Sequence, residues 1–257
     1  MGQIMNSAIL TVASIGLAVM AAGLVPAHSQ GRLRVLADTP LRPALLEIGE
    51  AFRHSRSGQQ VEFVFAASPV ILEKLAAGET SDVLIVQPDH ITDLMKSGTV
   101  VRGEHFVIGR VGLGLAVRAD APPQSIATEG LLREVLLKAD TLLFNTVVSG
   151  DQFAAVLGRM NLTDAVKSKV VRLPPGPAIY ERVIRGNGND IAVGVIPIIN
   201  ETKGVRLLGP LPGELQRYQV YVAAPMSAAL SPEAARRFVA FLAGPAAKAA
   251  FSTHGVE

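Results

Sequence analysis

The stretch VLADTPLRPALLEI, Val35 to Ile48, opens as an apolar run, passes through Asp38-Thr39-Pro40 and then takes up a helical rhythm. Leu41, Ala44, Leu45, Ile48, Ala51 and Phe52 fall on one helical face, so a strand is expected to feed a helix here. Nearly the same transition recurs in FVFAASPVILEKL, Phe63 to Leu75, with Ser68-Pro69 at the junction. Both junctions fit a capping hydroxyl followed by proline at the first helical position. The unpaired N–H groups at such a helix start, aided by its dipole, favour an anion.

Outward from this point, strands and helices alternate. LRVLA, QQVEFVFA and SDVLIV read as strands, and PVILEKLAAG and HITDLMKSG as helices ended at Gly78 and Gly98. That βαβαβα order implies parallel pairing with right-handed crossovers. VGLGLAVRADAPP, Val111 to Pro123, interrupts it as a long extended run suited to crossing between domains. The alternation restarts with TLLFN, DQFAAVLGRM, SKVVRL, GPAIYERVIRG and DIAVGVI, and LQRYQVYVAAP, Leu215 to Pro225, is the candidate return crossing. Two helices broken at Gly244-Pro245 close the chain, the first capped by Ser231 with Pro232 behind it. The expected architecture is an α/β two-lobed clamshell, each lobe a mixed, mostly parallel sheet flanked by helices. Residues 30–113 form the first lobe, 114–216 the second, and 217–257 return to the first. A single doubly wound domain with a long insertion is the alternative.

Composition bounds the function. The chain has 257 residues, 49% hydrophobic and 18% charged, enough for a substantial core. A formal charge of +2 without a Lys/Arg block argues against nucleic acid as a partner. Residues 1–31 carry no Asp, Glu, Lys or Arg, and the apolar run Ala8 to Val25 is followed by small residues at Ala27 and Ser29. Residues 1–29 therefore read as a signal peptide for export, with an uncleaved anchor as the alternative. With no cysteine, disulfides, thiol catalysis and thiolate metal sites are excluded. His54, His90, His105 and His254 lack the short spacing of a zinc site, so no metal and no cofactor are expected. GLGLAV at Gly112 lacks the third glycine of a nucleotide loop, and RGNGND, Arg185 to Asp190, reads as a turn.

Two further junctions join the first pair: Ser149-Gly150 in FNTVVSGDQF and Gly176-Pro177 in LPPGPAIY. All four lie at carboxyl ends of strands, where ligands bind in open α/β sheets. Thr39, Ser68, Ser149 and Gly150 are the expected hydrogen-bonding residues, with Arg42 adding charge if the helix turns it inward. Any one junction alone is an ordinary helix start. An ionised Asp38 beside a bound anion would repel it by ~4 kcal/mol at 4 Å with an effective dielectric near 20. Asp38 must therefore point away, pair with a cation such as Arg42, meet a ligand hydroxyl, or act as a base.

With these residues in order, the chain from about Leu33 to Glu257 resembles the molybdate-type periplasmic solute-binding proteins. LRVLADTPLRPALLEIGEAF, FAASPVILEKLAAGETSDVLIV, GLGLAVRADAP, the Ser149-Gly150 junction and FLAGPAAKAAFSTHGVE carry the likeness. It implies the type II clamshell of that family, a monomer that traps a small anion in the periplasm and delivers it to the permease of an ABC importer. The middle and C-terminal sections also resemble a branch that includes aconitate isomerase-like proteins. That branch implies a tricarboxylate ligand and a proton shift between carbons, for which Asp38 is the candidate base. The ligand stays open between an oxyanion and a small carboxylate, with binding alone as the leading expectation and an isomerase as its alternative.

Overall fold

A computed structural model describes residues 31–55, 59–186 and 188–257; the expected signal peptide lies outside them. β1 (Arg32–Asp38), a 3-10 turn (Thr39–Leu41), α1 (Arg42–His54), β2 (Gln60–Ala66), α2 (Ser68–Ala76), β3 (Val83–Val86) and α3 (Pro88–Lys96) come first. β4 (Phe106–Arg118) follows, then α4 (Glu129–Lys138), β5 (Thr141–Asn145), α5 (Val148–Arg159), α6 (Thr163–Val166), β6 (Val170–Leu173), α7 (Ala178–Arg185) and β7 (Asp190–Val195). The chain ends with α8 (Ile196–Glu201), β8 (Val205–Pro210), β9 (Tyr218–Pro225), α9 (Pro232–Leu242) and α10 (Pro245–Thr253).

Strand order is β2-β1-β3-β9-β4-β7-β5-β6, with β8 also on β4. β1 runs parallel to β2 and β3, and β5 parallel to β6 and β7, as the alternation of strands and helices requires. Antiparallel pairing enters with the two long strands: β9 lies against β3 and β4, and β4 against β7 and β8. β4 gives Phe106–Gly112 to β9 and Leu113–Ala116 to β7, so it passes from one half of the molecule to the other between Gly112 and Leu113.

Burial explains the elements. Leu33, Val35, Leu36 and Ala37 in β1 and the whole of β3 are sealed on both faces, hence their nearly continuous apolar sequence. α1 buries Ala44, Leu45, Ile48 and Phe52 of the stripe expected from its spacing, while Ala51, expected on the same face, is exposed. Phe52 meets Phe238 edge to face with centroids 5.0 Å apart, which fixes the C-terminal α9 against the first half. α4, α8 and β8 have no counterpart in the expected order of elements. β8 is half-buried along most of its length, and its apolar residues lie between turns that mask the period. Among the described residues no helix is long and apolar enough to cross a membrane.

A glutamine clasps the crossing. Gln216 donates from Nε2 to the Leu113 carbonyl at 3.0 Å, and its Oε1 accepts the Leu113 N–H at 3.0 Å and the Arg217 N–H at 2.8 Å. Gly112 leaves room for it: a Cβ there would stand 2.9 Å from Gln216 Nε2.

Candidate functional site

The four strand-to-helix junctions open onto one cleft of about 550 Å³, with Thr39 and Ser68 on its first wall and Ser149 and Gly176 on the second. The parallel register explains the first wall. Asp38 pairs with Ala66 across β1 and β2, so the end of one strand stands beside the helix start that follows the other. Asp38 Oδ2 accepts the Ser68 backbone N–H at 3.1 Å and also, in a closer contact, the Ser68 hydroxyl. The start of α2 is thus already neutralised by a carboxylate of the protein itself, and Ser68's donors are engaged. Asp38 makes no ion pair with Arg42; it caps a neighbouring helix. Burial, the largest influence, raises its carboxyl above the ordinary value of 3.8, against the Ser68 hydrogen bonds, the Thr39 N–H and His90, all of which lower it.

The helix starts differ in detail from the expected caps. Thr39 opens the 3-10 turn, and α1 begins only at Arg42 with Pro43 behind it, so Thr39 caps no α-helix. Ser68 is the first residue of α2, after the N-cap Ala67. Ser149 and Gly150 lie inside the first turn of α5, whose N-cap is Val147. In each case proline or a short turn lets the helix begin one to three residues away from where the hydroxyl alone suggests.

The second wall is organised by Asn145, at the end of β5, which sequence reasoning missed. Its Oδ1 accepts the N–H groups of Val147 at 3.2 Å and Gly150 at 2.9 Å, and its Nδ2 donates to Ser149 Oγ at 2.7 Å. Its bond to the amide two residues on is a local turn signal that the sequence does carry. Ser149's hydroxyl hydrogen is left uncommitted, and the first-turn N–H groups of Val148 and Ser149 lack intrahelical partners. Gly150, expected as a ligand donor, does not line the cleft. Its N–H is spent on Asn145 Oδ1 and on the Val147 carbonyl at 2.9 Å, and a Cβ there would stand 1.8 Å from the Asn145 carbonyl oxygen. Its part is to permit that close approach.

Among the described residues Arg42 is the one Lys or Arg lining the cleft; it is exposed and makes no ion pair with any of them. Glu201 and Asp38 are the lining carboxylates, and much of the remaining wall is apolar: Pro69, Val70, Val148, Ile179, Val193 and Ile198. Three more polar residues of the cleft, Tyr180, Gln219 and Gln87, escaped the sequence reading because nothing local in the sequence marks them as lining it. Tyr180 of α7 is buried and lines the cleft, and burial keeps its hydroxyl protonated well above the usual range. Gln219 and Gln87 line the cleft, and the Tyr221 hydroxyl donates to Gln219 Oε1 at 2.8 Å. Burial first and Asp38's charge second raise the Tyr221 hydroxyl well above its ordinary value, so it serves as a neutral donor. Among the described residues no group of three or more His, Asp or Glu is placed to hold a metal.

A solvent-open cleft with polar junctions and apolar walls, set between two α/β halves joined by long strands, is the arrangement of a protein that encloses small solutes. The sequence model of the bacterial extracellular solute-binding proteins matches residues 33–257. The chain belongs to that family. This solute-binding protein is 25% identical over 255 residues to the aconitate isomerase of a Pseudomonas species, covering 96% of this chain and 95% of that one. Among solved structures it resembles the periplasmic molybdate-binding protein of Azotobacter vinelandii, with a TM-score of 0.69 and 16% identity over 88% of this chain and 98% of the other. The sulfate-binding protein of Mycobacterium tuberculosis superposes with a TM-score of 0.68 and 18% identity, over 88% of this chain and 86% of the other. These structural likenesses show the fold, the two-lobed clamshell of periplasmic binding proteins, as the sequence resemblance implied.

Proposed function

We propose that this solute-binding protein is exported to the periplasm, closes its lobes over a small carboxylate-bearing anion and hands it to the permease of an ABC importer. On this reading residues 1–29 are the export signal, and 30–113 with 217–257 form one lobe against 114–216. The carrying observation is that junctions from both halves meet at one cleft whose one lining guanidinium among the described residues, Arg42, makes no ion pair with any of them. Arg42, the uncommitted Ser149 hydroxyl and the open N–H groups of α5 supply donors for a carboxylate, and charge-assisted bonds of this kind are the strong ones. Thr39 and Ser68 border the ligand, although Ser68's donors turn to Asp38. The cleft's size lies within the usual range for organic ligands, and its apolar walls match a carbon skeleton better than a bare tetrahedral oxyanion. A melting screen of molybdate, tungstate, sulfate, phosphate and mono-, di- and tricarboxylates tests this. A carboxylate at 100 times its Kd adds ~2.7 kcal/mol, a rise of about 5–10 °C for a chain of this size. A rise with oxyanions alone refutes the carboxylate assignment.

The likeness to an aconitate isomerase favours a second reading in the same cleft. There the reaction is a proton moved from one carbon of the tricarboxylate to another, with no other atom gained or lost. Asp38, made more basic by burial, would take that proton and return it. Incubation with cis-aconitate and assay for the trans isomer decides it; turnover that survives Asp38→Asn removes Asp38 from the mechanism.

A further inference from the structure

The floor of the cleft carries polar capacity that a carboxylate held by Arg42 and α5 leaves unused. Gln219 is only 7% exposed yet borders the cleft. Its orientation is set by one bond, in which Oε1 accepts the Tyr221 hydroxyl at 2.8 Å. The other end of the amide, Nε2, makes no hydrogen bond within the described protein and is not sealed from solvent. An unpartnered donor this deeply placed is costly unless water or a ligand meets it. Asp38 borders the same cleft close enough to Tyr221 for its charge to be felt there. Both Ser68 bonds fall on Oδ2, so Oδ1 keeps acceptor capacity.

A fixed N–H donor and a carboxylate acceptor on one floor complement one functional group in particular. A hydroxyl accepts from the first and donates to the second. A second carboxylate placed there would meet the charge of Asp38 at a cost of several kcal/mol, and a methylene would leave the Gln219 donor unpaired. We propose that the cleft selects hydroxycarboxylates: the carboxylate lies toward Arg42 and the start of α5, and the hydroxyl lies between Gln219 Nε2 and Asp38. This rests on the carboxylate reading and goes beyond it by naming the ligand class and assigning specificity to Gln219, with Tyr221 as its positioning residue.

Matched pairs test it by calorimetry: malate against succinate, lactate against propionate, citrate against tricarballylate. The wild-type protein binds the hydroxy member of at least one pair ten or more times tighter than its deoxy partner. In Gln219→Leu that ratio falls to about one. Tyr221→Phe keeps the ring but frees the amide, and lowers the ratio at least threefold, which keeps the idea open to refutation even if Gln219→Leu does not fold. Equal affinity within every pair that binds overturns the hydroxycarboxylate assignment and leaves the carboxylate reading standing. A preference that survives both variants removes Gln219 from the recognition. Binding of none of the six acids overturns the carboxylate reading, and this inference with it.

Discussion

The same substitution at two positions of α5 is expected to act with opposite sign. Gly150→Ala puts a methyl group 1.8 Å from the Asn145 carbonyl oxygen, 2.7 Å from its carbon and 2.9 Å from Asn145 Oδ1. The nearest atoms are backbone at the end of β5, so no rotamer change relieves them and the start of the helix must move. Overpacking of this kind costs about 1–3 kcal/mol. Displacing the helix start also weakens the Asn145 bonds to Gly150 and Ser149, at about 0.5–1.5 kcal/mol each. A total near 3 kcal/mol lowers the melting temperature by about 6–12 °C at 2–4 °C per kcal/mol. Gly158, exposed near the other end of α5, has only Thr163 Oγ1 at 3.9 Å from its would-be Cβ. There alanine gains about 0.5–1 kcal/mol of helix propensity, a rise of about 2 °C. Both variants are measured by differential scanning calorimetry in one buffer. If Gly150→Ala melts within 1 °C of the parent, the close approach of α5 to Asn145 is wrong, and with it the placing of Ser149 at the cleft.

Arg42→Ala removes the unpaired guanidinium without disturbing the core; melting of the free protein changes by no more than about 0.5 kcal/mol. Affinity for a carboxylate found in the screen falls about ten- to hundredfold by calorimetry, and an unchanged Kd takes Arg42 out of the site. Asp38→Asn acts through pH. Burial raises the folded carboxyl above its ordinary 3.8, so the folded chain holds the proton more tightly than the unfolded one. That contribution to stability is complete below the unfolded value and is lost as pH rises through the folded one. The variant, free of that loss, gains on the wild type between pH 4 and pH 7.5 in parallel melts; a wild type that gains instead contradicts the sign. Gln216→Leu breaks the clasp on Leu113 and costs about 1–3 kcal/mol in urea denaturation, while a loss below 0.5 kcal/mol shows that the crossing does not depend on it.

What could be read in the sequence follows from the range of the interactions concerned. The apolar runs at Val35 and Val83 and the stripe from Leu41 to Phe52 are local patterns, and local patterns located the four junctions and the elements around them, while α4, α8 and β8 escaped. Asn145 was within reach for the same reason, since it bonds to the amide of Val147 two residues away. Gln219 was not. Its strand reads as an alternating run, and nothing beside it in sequence reveals that the Tyr221 hydroxyl would hold its Oε1 on a wall of the cleft. Asp38 lies between these cases. Its charge was legible as a conflict with any anion at the start of the first helix, but the resolution depends on register. Only the pairing of Asp38 with Ala66 brings its carboxyl to Ser68 and makes it an internal occupant of the second helix start. A family fold that offers helix starts to an anion thus has one of them filled from within here. The charge that remains for a guest is displaced toward Arg42 and α5, while the vacated end keeps a carboxylate and an amide donor. That shift in polarity, more than any single motif, is what the proposed preference for a ligand with one charged end and one neutral polar group rests on.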